Sequence, residues 1–172
     1  MLSFRRTHRF VSSSVLAAIG SRAEARCELF CYRSAIEKGD SMPEFPSITH
    51  VALTVSDLDT SVPWYERLFG AKPVLDEDTG PFRHVVWLVG GTTLVGLHQF
   101  PALDDDCAFS ERRIGLDHLA FQCNSRSELE TWQGHLDALG IAHGGVVDAG
   151  YGSGLSFRDP DNIALEFFAP PA

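Results

Sequence analysis

The sequence predicts an α+β fold: two tandem βαβββ modules forming a cupped, open-barrel mixed sheet with the helices outside. Three observations predict it: an internal repeat, strand segments whose two faces differ in chemistry, and a helix signal after the first strand of each repeat. Aligning residues 48–55 with 116–123 matches His50 to His118 and Ala52 to Ala120, an offset of 68 that also matches Trp64 to Trp132 and Leu68 to Leu136. A second register, offset 70, places Gly96 on Glu166. One loop absorbs the difference of two. The modules span 47–100 and 115–170, joined by an acidic linker at 101–114.

Each element follows from local chemistry. Residues 48–55 are β-branched and apolar, a strand. Asp57 or Asp59 caps a helix that ends at Gly70, with Pro63 near its first turn. Residues 73–76 form a short strand. Residues 83–89 and 92–99 are strands joined by a Gly90-Gly91 turn. The second module repeats the order. Residues 116–123 are a strand, and 127–139 a helix with Ser127 and Glu130 spaced as a capping box and Gly140 as its stop. Strands follow at 141–147, 155–158 and 163–168, the last two flanking Asp159-Pro160-Asp161-Asn162, strong turn chemistry.

The rest of the chain differs in charge. Of 172 residues with a net charge of −9, residues 1–41 hold seven Lys or Arg against four acids, and residues 42–172 hold seven against nineteen. Residues 1–41 therefore read as an appended or spurious N-terminal extension, with the working domain at 42–172. An acidic domain argues against nucleic acid as partner, and no apolar run reaches the roughly 18 residues of a membrane span. Cys27, Cys31, Cys107 and Cys123 lack paired CxxC spacing, so neither a zinc ribbon nor a disulfide framework is indicated and a reducing, cytoplasmic setting is expected.

Side chains two apart share a strand face. His50, His118 and Glu166 then each fall on the face of their strand opposite the continuous apolar one, which the helices cover. A histidine on a strand is commonly a hydrogen-bonded core residue, but two at equivalent repeat positions, plus a carboxylate between apolar neighbours where it needs a partner, form a donor set for one divalent ion. Ligands of this type suit Fe, Zn, Ni, Mn or Mg.

The segments I-T-H-V-A-L-T-V-S-D-L, W-Y-E-R-L-F-G, L-D-H-L-A-F and F-R-D-P-D-N-I-A-L-E-F resemble the vicinal oxygen chelate superfamily of glyoxalases, bleomycin resistance proteins and extradiol dioxygenases. The resemblance covers 47–170. It implies metal ligation by His50, His118 and Glu166. The fourth ligand position falls on Gly96, which has no donor; His98, two residues on and on the same face, is the candidate to replace it as ligand or proton carrier, beside Glu166. The same departure weakens the case for a glutathione-dependent glyoxalase. Tyr151, in a glycine-rich loop, and Arg83, at the start of a strand, are candidates to contact a small-molecule substrate. The implied activity is a lyase or isomerase that chelates two neighbouring oxygens and stabilises an enediolate. The alternatives are a non-haem Fe(II) extradiol-type dioxygenase and a metal-free drug- or metabolite-binding protein. Two modules in one chain can complete a cup, and module exchange can make a homodimer.

Overall fold

The structure, a computed structural model, describes residues 44–103 and 108–171. The proposed extension at 1–41, with Cys27 and Cys31, and the linker residues Asp104, Asp105, Asp106 and Cys107 lie outside the described residues. Elements follow in the order β1 (His50–Thr54), α1 (Leu58–Phe69), β2 (Leu75–Asp78), β3 (Arg83–Val89), β4 (Thr93–Gln99), β5 (Leu119–Gln122), α2 (Arg126–Leu139), β6 (His143–Ala149), β7 (Gly152–Arg158) and β8 (Ala164–Ala169).

Each module builds one four-stranded mixed sheet, β1-β4-β3-β2 and β5-β8-β7-β6. In both, the first strand runs parallel to the last, and the remaining pairs are antiparallel. The helical connection after the first strand is what a parallel pairing requires. This is the expected tandem βαβββ architecture. The register also bears out the repeat: Ala52 pairs with Gly96, and Ala120 pairs with Glu166.

Local differences from the expected boundaries have local causes. Helix α2 starts at Arg126 because Ser125, not Ser127, is its N-cap; the Ser125 hydroxyl accepts from the Glu128 N–H at 3.2 Å, while the Glu128 carboxylate accepts from the Asn124 N–H at 2.7 Å. Strand β6 begins at His143 rather than Ile141. Gly140 adopts the left-handed conformation, and the Ile141 N–H donates to the Leu136 carbonyl at 2.9 Å, so Ile141 closes the helix. Strand β2 is displaced to Leu75–Asp78 by its pairing with Val86 through Arg83 of β3. The β7–β8 turn carries Asn162 at φ 66, a residue type that tolerates this region.

The apolar faces of both sheets turn toward the helices. Val85, Trp87, Val95 and Leu97 of the first sheet, and Leu155, Phe157, Leu165 and Phe167 of the second, are buried. The two helix tryptophans pack against the second sheet: Trp64 stacks on Phe157 and Trp132 on Phe167, with centroids 6.4 and 4.2 Å apart. His143 is half-buried with Nε2 3.0 Å from an Asp137 carboxylate oxygen, and His135 is half-buried too.

Among the described residues no strand of one sheet is hydrogen-bonded to a strand of the other; the modules meet where α1 approaches α2, where Trp64 and Phe69 of α1 reach Phe157 and Phe121, and through a polar joint. At that joint the Tyr65 hydroxyl donates to buried Asp159 at 2.9 Å, and the Ser56 N–H donates to Asp161 at 3.0 Å. Asp159 also accepts from the N–H groups of Asp161 and Ile163. Burial pushes its carboxyl up to about 6, and the same burial together with the Asp159 charge raises the Tyr65 phenol.

Candidate metal centre

The parallel β5–β8 pair positions one half of the candidate site. Glu166 lies on β8 between Leu165 and Phe167, whose side chains are buried toward the helices, so alternation points the Glu166 carboxylate to the opposite, concave face. Ala120 beside it on β5 is too small to obstruct it. His118 precedes β5 by one residue, since pairing with β8 starts only at Leu119. Its Nε2 is 3.4 Å from Glu166 Oε2, and its Nδ1 is 2.6 Å from Asp117 Oδ1. Ser156 of β7 approaches the other Glu166 oxygen at 3.5 Å.

His118 and Glu166 floor a half-open cavity of about 400 Å³ walled by Ala120, Val147, Ala149, Tyr151 and Phe168. Two glycines of β7 make it. A Cβ on Gly154 would collide with the Glu166 carboxylate, and one on Gly152, at φ +145, would collide with the Phe168 ring. Both side chains therefore lie flat across β7 where any larger residue would lift them.

The first module carries the matching half. His50 is exposed at the start of β1, with Nδ1 3.3 Å from the Thr49 hydroxyl. His98 reaches back along β4: its Nε2 lies 3.6 Å from where a Gly96 Cβ would sit. The imidazole thus fills the space above the glycine that occupies the Glu166-equivalent position. No bulge is needed, because the β3–β4 register is continuous from Arg83 opposite Gln99 to Val89 opposite Thr93. Phe82 stacks on His98 with centroids 4.6 Å apart, and His84 meets it edge-on at 5.3 Å. Burial, then the nearby His84 and His50, lower the His98 pKa, which favours its neutral ring.

The expected constellation is therefore divided. His118 and Glu166 come together, while His50 and His98 share the concave face of the other sheet; among the described residues of one chain no three His, Cys, Asp or Glu side chains are placed to hold an ion. The physical reason is that β1 and β5 are edge strands of separate sheets. Tyr151 sits in the β6–β7 turn at the cavity rim, exposed, with its ring nearly parallel to Phe168. Arg83 is moved off the concave face. It alternates with His84, so it lies on the side of Val85 and Trp87, and it forms a two-pronged pair with Asp76 at 3.0 and 2.9 Å.

Asp117, Ser156 and Phe168 were not singled out by the pattern of residues. Asp117 was legible, since it precedes His118 as Thr49 precedes His50. Gly152 and Gly154, spaced by two on one strand face, were the other available signal.

Known proteins share this architecture. A family profile for the Glyoxalase/Bleomycin resistance protein/Dioxygenase superfamily matches residues 47–167. The chain is 29% identical over 122 residues to metallothiol transferase FosB of Staphylococcus saprophyticus, covering 70% of this chain and 74% of that protein. A glyoxylase/bleomycin resistance protein/dioxygenase domain from Frankia sp. EAN1pec superposes with a TM-score of 0.68 at 30% identity, over 74% of this chain and 100% of that one. A FosX variant from Listeria monocytogenes, complexed with Mn(II) and 1S,2S-dihydroxypropylphosphonic acid, shares the fold at a TM-score of 0.55 and 22% identity, over 74% of this chain and 92% of that one. With its paired βαβββ modules and equivalent strand histidines, the chain belongs to the Glyoxalase/Bleomycin resistance protein/Dioxygenase superfamily.

Proposed function

We propose that the chain is a metal-dependent, glyoxalase-like enzyme of the lyase or isomerase kind, acting on a small oxygenated molecule held through two adjacent oxygens. The observation that carries this reading is the Asp117–His118–Glu166 line at the floor of the cavity. A carboxylate on one imidazole nitrogen, with the other nitrogen directed at a second carboxylate, is the arrangement that orients a metal-ligating histidine. The donors are nitrogen and oxygen, which suits Fe, Zn, Ni, Mn or Mg. The 29% identity to a metallothiol transferase supports a metal-dependent enzyme without selecting a reaction.

A divalent ion would be held by His118 and Glu166 together with His50, with His98 as a fourth donor or as the group that moves a proton. Since the two halves lie on separate sheets, the reading includes a homodimer in which a second copy supplies the complementary half. When bound, the ion supplies Lewis acidity toward negative charge developing on substrate oxygens. His98 offers Nε2 to a substrate proton, and its stack on Phe82 fixes the ring plane. Ser156 steadies the Glu166 carboxylate, and the apolar walls limit water near the reacting atoms.

That same Phe82 stack favours a second reading. If His98 stays within it, two imidazoles and one carboxylate remain, the donor set of a non-haem iron dioxygenase. Elemental analysis and solution mass of the purified full chain test both. A dimer with about one ion of zinc, nickel, manganese or magnesium per chain is the expected result; iron with oxygen uptake on catechols selects the second reading. Ligand binding unchanged by chelator dialysis and by His118→Ala would overturn both in favour of a metal-free binding protein.

A further inference from the structure

The cavity walls carry a second message, which concerns charge. Ala120, Val147, Ala149 and Phe168 surround the donor pair with aliphatic and aromatic surface, and Tyr151 adds a ring tilted only 17° from Phe168, with centroids 6.4 Å apart. Gly152 lets the Phe168 ring lie flat against the strand. Among the described residues lining this cavity, the one formally charged side chain is Glu166, an anion. The concave face of the first module offers imidazoles, Leu94, Val86 and Leu88 on the strands beside His50 and His98. Of the seven Lys and Arg side chains among the described residues, Lys72, Arg83, Arg126 and Arg158 are paired with Glu66, Asp76, Asp148 and Glu111, and none of the seven lines this cavity.

An anionic group entering such a cavity must give up its hydration, and that loss is recovered where an Arg fork, an ammonium or a helix N-terminus meets it. Apart from an ion held at the donors, it would meet here only methyl groups, ring faces and a carboxylate. A flat apolar body, by contrast, gains from burial and from ring stacking worth about 0.5–1.5 kcal/mol beyond area. We infer that the cavity selects an uncharged molecule with a flat, apolar body and two adjacent oxygens, and discriminates against phosphonates and other anions. This rests on the metal-site reading for the role of the oxygens, but the walls act on charge and shape with or without the ion.

Calorimetric titration of the full chain, first loaded with Mn(II) and then metal-free, tests this. The probes are catechol, neutral at pH 7; protocatechuate, which is catechol with one added carboxylate; and 1S,2S-dihydroxypropylphosphonic acid. The loaded protein is expected to bind catechol about 10-fold or more tightly than either anion. Phe168→Ala is expected to weaken catechol binding by about 10-fold with the Mn content unchanged, and Phe168→Leu, which restores apolar bulk without a flat face, to recover part of it. Equal or tighter binding of protocatechuate or the phosphonate overturns the inference. If the protein takes up no Mn(II), the elemental analysis above decides the metal reading, and the metal-free titration decides the charge preference by itself: catechol bound over protocatechuate upholds it, whereas no preference or no binding of either overturns it.

Discussion

The two modules are one design with the chemistry redistributed. In each, a histidine stands at the start of the first strand (His50 within β1, His118 one residue before β5), a small residue follows two positions later, and a parallel strand lies alongside. In the second module the small residue faces Glu166, and the histidine is held by Asp117. In the first it faces Gly96, and the histidine is held by the Thr49 hydroxyl. Two carboxylates therefore gather in one module, and His98 and His84 in the other. Among the described residues neither half gathers three such donors, and the difference teaches that the repeat has diverged in which donors lie nearest the glycine and the glutamate: carboxylates beside His118, imidazoles beside Gly96, with Glu77 3.4 Å from His84 at the outer edge.

Removing donors gives the largest contrast. His118→Ala or Glu166→Gln is expected to lower metal affinity at least about 100-fold, since either removes half of the carboxylate-bearing side. His98→Ala is expected to lower it about 10-fold or less, with a larger effect on turnover; equal losses of affinity in all three would erase the distinction between halves. Metal titration into each purified variant measures this.

A methyl group sharpens the comparison further. Gly154→Ala drives a Cβ into the Glu166 carboxylate and is expected to weaken metal binding about 10- to 100-fold by displacing it. Gly96→Ala places its Cβ at 3.6 Å from His98 and Val86, ordinary contact, and is expected to change affinity less than about 3-fold. Next in size, Asp117→Asn is expected to cost about 10-fold in affinity, against little for Thr49→Ala, because a carboxylate orients and polarises an imidazole more than a hydroxyl does.

A separate effect, on stability rather than metal affinity, lies at the joint between modules. Tyr65→Phe removes a donor from buried Asp159 and is expected to destabilise by about 1–3 kcal/mol in denaturant unfolding. Asp159 also gives stability a pH slope. Its carboxyl moves from 3.8 to about 6 in the fold, so the folded state binds the extra proton in that interval. The stability from this group is present below about 4 and is lost as pH rises through about 6. Asp159→Asn is expected to flatten that slope, and urea midpoints at pH 4, 5, 6 and 7 measure it.

Much of this was legible in sequence for a physical reason. Helices and strands are declared by local signals, and Asp57, Gly70 and Gly140 act where the chain pattern says they do. The face each of His50, His118, His98 and Glu166 occupies follows from alternation, which needs only the strand period. Boundaries moved where a competing local interaction won, as when Ile141 closed α2 instead of opening β6.

What the residues by themselves determined is the repeat, the equivalence of Ala52 with Ala120 and of Gly96 with Glu166, and which donors share a face. The tertiary structure alone decided that the two modules form separate sheets, that His98 leans back over Gly96, that Gly152 and Gly154 make room for Phe168 and Glu166, and that Arg83 is bound to Asp76. The first set depends on periodicity along one strand and its hydrogen-bonded neighbour. The second depends on distances through space between segments far apart in the chain, which periodicity along a strand does not encode.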